Sequence, residues 1–108
     1  MDPKWHKTDD GWVLTLAGDL PDQKDDLIWG DSYLKVYQRV YEGTVTYRIR
    51  IDGRRTSQIL EDPKWVAVFF GVSNKARPKV RGKRLWRDKL IVVERFGLKP
   101  RTYLVVVR

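Results

Sequence analysis

The sequence predicts an α+β domain, with an antiparallel sheet of five or six strands and one or two helices packed on one face. Three observations carry this expectation. Residues 33–51 alternate apolar and polar side chains on both sides of a Glu42-Gly43 turn. Asp62-Pro63 reads as a helix cap with proline at the first helical position, ahead of Trp65, Val68, Phe69 and Val72 at helical spacing. The β-rich runs 90–96 and 102–107 are joined by the hairpin-length stretch Gly97-Leu98-Lys99-Pro100.

Taken in order, Trp12, Leu14 and Leu16 alternate with Val13 and Thr15, which predicts a first strand ending near Gly18. Leu20-Pro21-Asp22 looks like a helix start, with Asp25 and Asp26 in the first turns and Leu27, Ile28 and Trp29 on the buried side. A three-strand meander over 33–60 follows. A hairpin closed at Glu42-Gly43 sets Tyr41 opposite Thr44, and then Arg39 meets Thr46, Tyr37 meets Arg48, and Lys35 meets Arg50. On the other face Val40 meets Val45, Val36 meets Ile49, and Leu34 meets Ile51. A second turn at Asp52-Gly53 brings in Arg54–Leu60, with Arg55 opposite Arg50 and Ser57 opposite Arg48, so that Lys35, Arg50 and Arg55 form one row.

The helix beginning at Pro63 is expected to cover Val45, Tyr47, Ile49 and Ile51. A strand is the competing reading there, because Val66, Val68, Phe70 and Val72 also alternate and β-branched residues are numerous. Between Lys75 and Lys89 the chain holds eight basic residues and one acid, with Pro78 and Gly82, and reads as a loop leading into a strand. The apolar runs beyond it belong in strands covered on both faces. No internal repeat is evident.

A chain of 108 residues predicts a single domain, residues 1–108. Its charge is polarised. Residues 1–31 carry three lysines against eight aspartates, a net −5, whereas residues 32–108 carry 19 basic against six acidic side chains, a net +13. The later part is suited to a polyanion, and the acidic start is expected either to form capped turns or to cover the basic face in the free protein. No apolar run has membrane-spanning length and the first residues lack the apolar core of a signal peptide, so the expected location is the cytoplasm, away from membranes. The absence of Cys and the single His6 leave no cysteine or multi-histidine metal set, and no cofactor is implied. One Met, one Asn and abundant charge lean toward a thermophilic source.

One face of the strand 33–41 presents Tyr33, Lys35, Tyr37, Arg39 and Tyr41. Tyrosine rings stack on bases while interleaved cations neutralise phosphate, the division of labour of single-strand binders. Arg48, Arg50 and Arg55 extend the cationic track, and like charges facing each other across strands imply an anionic partner. Trp86 among Lys83, Arg84 and Arg87 offers a second aromatic-cationic cluster. A converging carboxylate set, a Ser/His/Asp grouping and a phosphate-binding glycine loop are all missing, so no catalytic residue is assigned.

The YLKVYQRVYEGTVTYRIRI hairpin followed by a helix start at EDPKW, in a cysteine-free, tryptophan-rich basic chain, resembles the ThermoDBP-related single-stranded DNA-binding proteins of thermophilic archaea. The layout is also similar to the single-strand-binding domain of positive-cofactor-type transcription coactivators. The similarity covers chiefly residues 33–70, and it implies sequence-tolerant binding of exposed bases and protection of single strands.

The expected function is therefore non-enzymatic binding of single-stranded DNA or RNA, DNA preferred. The alternatives are a duplex-coating chromatin-type protein, a metal-free endoribonuclease of the small-toxin kind, and an adaptor for an acidic protein. A homodimer would be the natural way to cover apolar patches left exposed at Trp5, Trp12 or Trp29.

Overall fold

The structure, a computed structural model, describes residues 4–18, 20–52, 57–71, 82–98 and 101–108. Every regular element among them is a strand, so the α+β expectation is corrected to an all-β architecture. The chain divides into two compact units, Met1–Arg54 and Arg55–Arg108. The first holds β1 (Lys4–Thr8), β2 (Gly11–Ala17), β3 (Gln23–Gly30), β4 (Leu34–Tyr41) and β5 (Thr44–Ile51). The second holds β6 (Ser57–Asp62), β7 (Trp65–Phe70), β8 (Lys83–Arg87), β9 (Ile91–Leu98) and β10 (Arg101–Val107).

In the first unit the antiparallel order is β1-β2-β5-β4-β3. The β4–β5 hairpin has the register expected from the sequence, from Tyr41 opposite Thr44 to Leu34 opposite Ile51. Its two turn residues, Glu42 and Gly43, both have positive φ, 48° and 75°, the twist that suits a two-residue hairpin. Alternation separates the faces. Val36, Val40, Val45 and Ile49 are buried with Trp12, Leu14 and Leu16 from β2. Gln38 is buried among them because its Nε2 donates to the Tyr47 hydroxyl at 3.0 Å, which gives both polar groups a partner.

Three elements differ from expectation. The acidic 20–29 segment is no helix: Gln23–Gly30 forms the edge strand β3 against β4, with register shifts between Gln23 and Asp26 and between Leu27 and Trp29. The EDPKW segment is a hairpin turn rather than a helix start, since Asp62 pairs with Trp65 and the Asp62 carboxylate accepts from the Lys64 amide at 3.0 Å. Asp followed by proline serves a β-turn as well as a helix cap. The strand after Asp52 does not extend the meander, because β6 pairs with β7 while β2 takes the place beside β5. No helix among the described residues is long and apolar enough to cross a membrane.

The second unit repeats the topology of the first, in the order β6-β7-β10-β9-β8. The repeat extends to single hydrogen bonds. Asp31 Oδ1 accepts from the amides of Tyr33 and Leu34, at 2.7 and 2.9 Å, and Asp88 Oδ1 accepts from those of Leu90 and Ile91, at 2.7 and 2.8 Å. The Ile51 amide donates to the Asp10 carbonyl and the Val107 amide to the Lys64 carbonyl, both at 2.8 Å. Trp29 stands opposite Val36 just after a register shift, as Trp86 stands opposite Val93. Tyr47 and Tyr103, at matching places in β5 and β10, are both fully buried. An internal duplication of about half the chain is therefore present, although the sequence does not announce it.

The duplicated sheets differ in what they show on their second face. In the first unit that face is polar; in the second, Ala67, Phe69 and Leu104 form a buried cluster with Leu60, Trp65, Phe96 and Val106 packed against it. Strand β7 is thus buried on both sides, which blurs its period and explains why its residues fit a helical stripe as well as a strand.

Candidate nucleic-acid interface

The polar face of the first unit is built from four strands in register. One row runs Val13, Arg48, Tyr37, Leu27; the next runs Gly11, Arg50, Lys35, Gly30; a third holds Thr15, Thr46 and Arg39. Ala17, Thr44 and Tyr41 close the face at the hairpin end. Lys35, Arg39, Arg48 and Arg50 are all exposed. Tyr37 is half-buried because the Arg48 guanidinium lies over its ring, 4.7 Å from the centroid, an arrangement that holds both flat groups ready to stack. Tyr41 is 60% exposed and Leu27, across from Tyr37, is 53% exposed. These two are the exposed large hydrophobic side chains among the described residues, and both belong to the cationic face.

Two open clefts mark the ends of this face. One, of about 380 Å³, lies between the stretch Asp31–Lys35 and the stretch Arg50–Asp52. The other, of about 340 Å³, is lined by Arg39, Tyr41, Glu42, Thr44 and Thr46 at the hairpin turn. Tyr33, half-buried and just ahead of β4, belongs to the first and Tyr41, the last residue of β4, to the second, with Tyr37 between them in the strand. At about 3.4 Å per residue, positions 37 and 41 are roughly 14 Å apart along the strand.

The acidic N-terminal segment contributes one contact to this face. Asp10, in the β1–β2 turn, places Oδ2 3.0 Å from Arg50 Nε, with the two side chains 49% and 57% exposed, and also accepts from the Thr8 hydroxyl at 3.2 Å. Because Lys4–Thr8 is a strand of the sheet, deleting the first ten residues would remove an edge strand as well as this carboxylate. Asp10 and the flanking glycines Gly11 and Gly30 were not singled out by sequence reasoning. A glycine inside an alternating strand run was the available signal.

The remaining predicted site residues fall elsewhere. Arg55 lies outside the described residues, and the place expected for it beside Arg50 is taken by Gly11. Lys83, Arg84, Trp86 and Arg87 form β8 of the second unit. Arg84 stands opposite Glu94, which offsets its charge, while Trp86 is half-buried opposite the fully buried Val93, the setting that Trp29 has in the first unit. Lys83 and Arg87 are exposed. Of the tryptophans considered as dimer patches, Trp12 is 5% exposed and Trp5 and Trp29 are half-buried. Among the described residues no group of three or more His, Cys, Asp or Glu is placed to hold a metal ion.

Comparison with family models, with curated proteins and with solved structures finds no match to this chain.

Proposed function

We propose that the polar face of the first unit binds single-stranded nucleic acid, with single-stranded DNA favoured over RNA, by stacking bases on Tyr33, Tyr37 and Tyr41 and neutralising phosphates with Lys35, Arg39, Arg48 and Arg50. One observation carries the reading: the side chains on which an apolar face could be read by bases, Tyr41 and Leu27 with Tyr37 between Arg48 and Leu27, sit on the same solvent face as four exposed cations. A merely solvated face has no use for large exposed rings, and a protein-docking face for an acidic partner has no use for their spacing along one strand. An open sheet with aromatic platforms between cationic tracks suits unpaired bases, whereas duplex readers place a helix or ribbon in a groove. Binding of this kind is largely independent of base sequence, because every base has a stacking face. Lys83 and Arg87, on β8 of the second unit, are not among the strands that build this platform. The similarity to ThermoDBP-related proteins now rests on the β4–β5 hairpin, since the EDPKW segment is a turn.

The test is a fluorescence-polarisation titration with a single-stranded DNA, a single-stranded RNA and a duplex of equal length at two salt concentrations. Single strands are expected to bind more tightly than duplex, and log K is expected to fall with log salt at a slope of about −3 if the four cations each engage one phosphate. Duplex preference would favour a groove-coating role. Cleavage of the RNA that Tyr37→Phe abolishes would make the face a nuclease.

A further inference from the structure

We propose that the exposed Lys35–Arg50 pair, beside the first cleft, is a seat for one phosphate group of the bound strand, and that in the free protein the Asp10 carboxylate holds Arg50 as an internal counter-ion. The proposal deepens the reading above and rests on it only for the ligand being a strand. One support comes from comparing the two matched units. The same turn, strand pair and backbone hydrogen bonds occur in both units, around Asp31 and around Asp88. At the cross-strand position where the first unit pairs Lys35 with Arg50, the second pairs Val92 with Val106. That face is a buried apolar cluster in the second unit and exposed in the first, so the shared backbone accepts either pair, and facing like charges weaken a sheet unless an anion relieves them.

The whole row has been changed with them. In the first unit it reads Gly11, Arg50, Lys35, Gly30, with glycine on either side of the cations, and in the second Trp65 and Val106 stand beside Val92 and Arg87. Gly11 and Gly30 put no side chain directly beside the cations in their row, and a Cβ at Gly30 would come within 2.9 Å of Lys35 Cγ and 3.5 Å of Leu27 Cδ1. The cleft of about 380 Å³ adjoins the two exposed cations on the side of Asp31–Leu34 and Ile51–Asp52. Asp10 already shows how an anionic oxygen is received, 3.0 Å from Arg50 Nε and exposed enough to leave. Its position is fixed by the bond from the Ile51 amide to its carbonyl, so the carboxylate can swing away while the turn stays in place.

Two carboxylates share the lining of the cleft with the two cations. Asp31 accepts from two backbone amides, as Asp88 does where no cations are present, and so belongs to the turn. Asp52 also lines the cleft.

The test is a double-mutant cycle on oligo-dT binding at low salt, with Asp10→Asn, the pair Lys35→Val/Arg50→Val copied from the second unit, and the triple variant. Exposed ion pairs are weak, so Asp10→Asn is expected to tighten binding about two- to fivefold. That gain is expected to vanish in the Lys35→Val/Arg50→Val background. Unchanged affinity in Asp10→Asn, or an equal gain in both backgrounds, overturns the proposal. Oligonucleotides with and without a 5′-phosphate separate the source: a preference lost in the double variant assigns a terminal monoester, and no preference assigns a backbone diester. If the double variant does not fold, Arg50→Gln takes its place in the cycle. If no oligonucleotide binds at all, the function proposed above fails, and inorganic phosphate decides the seat separately. A rise in melting temperature in Asp10→Asn that is absent in the cation variant upholds it, and no rise rejects it.

Discussion

Replacing Tyr37 with alanine is expected to weaken binding of a single-stranded oligonucleotide by about 1–3 kcal/mol, a roughly 5- to 150-fold rise in Kd. Tyr37 is the centre of the proposed platform. It lies between Arg48 and Leu27 across the sheet and between Lys35 and Arg39 along its own strand, and its ring is held by the Arg48 guanidinium at 4.7 Å. Truncation removes the stacking surface and releases Arg48 from its preferred position. Tyr37→Phe keeps the ring and is expected to retain most of the affinity. Since Tyr37 points away from the buried face, the alanine variant is expected to melt close to the parent chain, which separates loss of binding from loss of fold. Equal affinity in polarisation titrations of the two chains would remove stacking from the account.

The largest effect on stability is expected from Gly11→Ala. A Cβ at position 11 would collide with the Ile49 backbone carbonyl, and a backbone atom in a central strand cannot move aside as a side-chain tip does. Relief requires β2 to separate from β5, the pair that buries Trp12, Leu14, Tyr47 and Ile49. A loss of about 2–4 kcal/mol is expected, toward the upper end for single substitutions, and it should appear as a melting temperature lower by roughly 10 °C or more. Gly43 gives the contrast. It has φ of 75° but only the Gly18 carbonyl near its missing Cβ, at 3.9 Å, so Gly43→Asn is expected to cost under about 1 kcal/mol. Similar melting of the two variants would contradict the close approach at Gly11.

The part of the fold that was legible in the sequence is the part that local rules determine. Strict alternation from Leu34 to Ile51, with a turn dipeptide able to adopt positive φ, leaves one register that segregates valines from cations, and the structure has that register. Strand β5 has a second neighbour that local rules do not reveal. Asp52-Gly53 is as good a turn signal as Glu42-Gly43, yet β2, some 35 residues earlier in the chain, pairs there instead. That partner replaced Arg55 with Gly11 in the row beside Arg50, which changed the reading of the site from a cationic ladder to a cation pair between glycines.

The two misplaced helices have distinct causes. Around Asp25 and Asp26 the carboxylates and the Leu27-Ile28-Trp29 run imitate a helix start, but the register shifts of β3 disrupt the alternation by which a strand is recognised. At Asp62-Pro63 the same dipeptide chemistry serves a cap and a turn, and burial of both faces of β7 removes the polar half of the period. The duplication was hidden for a related reason. What the two halves share is the buried tyrosines, the Asp31 and Asp88 turns and the Trp29 and Trp86 positions, while their second faces differ, exposed cations in the first and a buried apolar cluster in the second. Those few residues, Trp-x-Asp at 29–31 and 86–88 and Thr-Tyr at 46–47 and 102–103, are the signal that remains in the sequence.

The central claim is that unpaired bases lie on Tyr33, Tyr37 and Tyr41. Irradiating the complex with an oligonucleotide carrying 5-iodouracil, followed by mass spectrometry of the adducts, reads this contact directly. Adducts on Tyr33, Tyr37 or Tyr41 are the predicted result, whereas adducts confined to Arg55–Arg108, with those three tyrosines unmodified, would contradict the account.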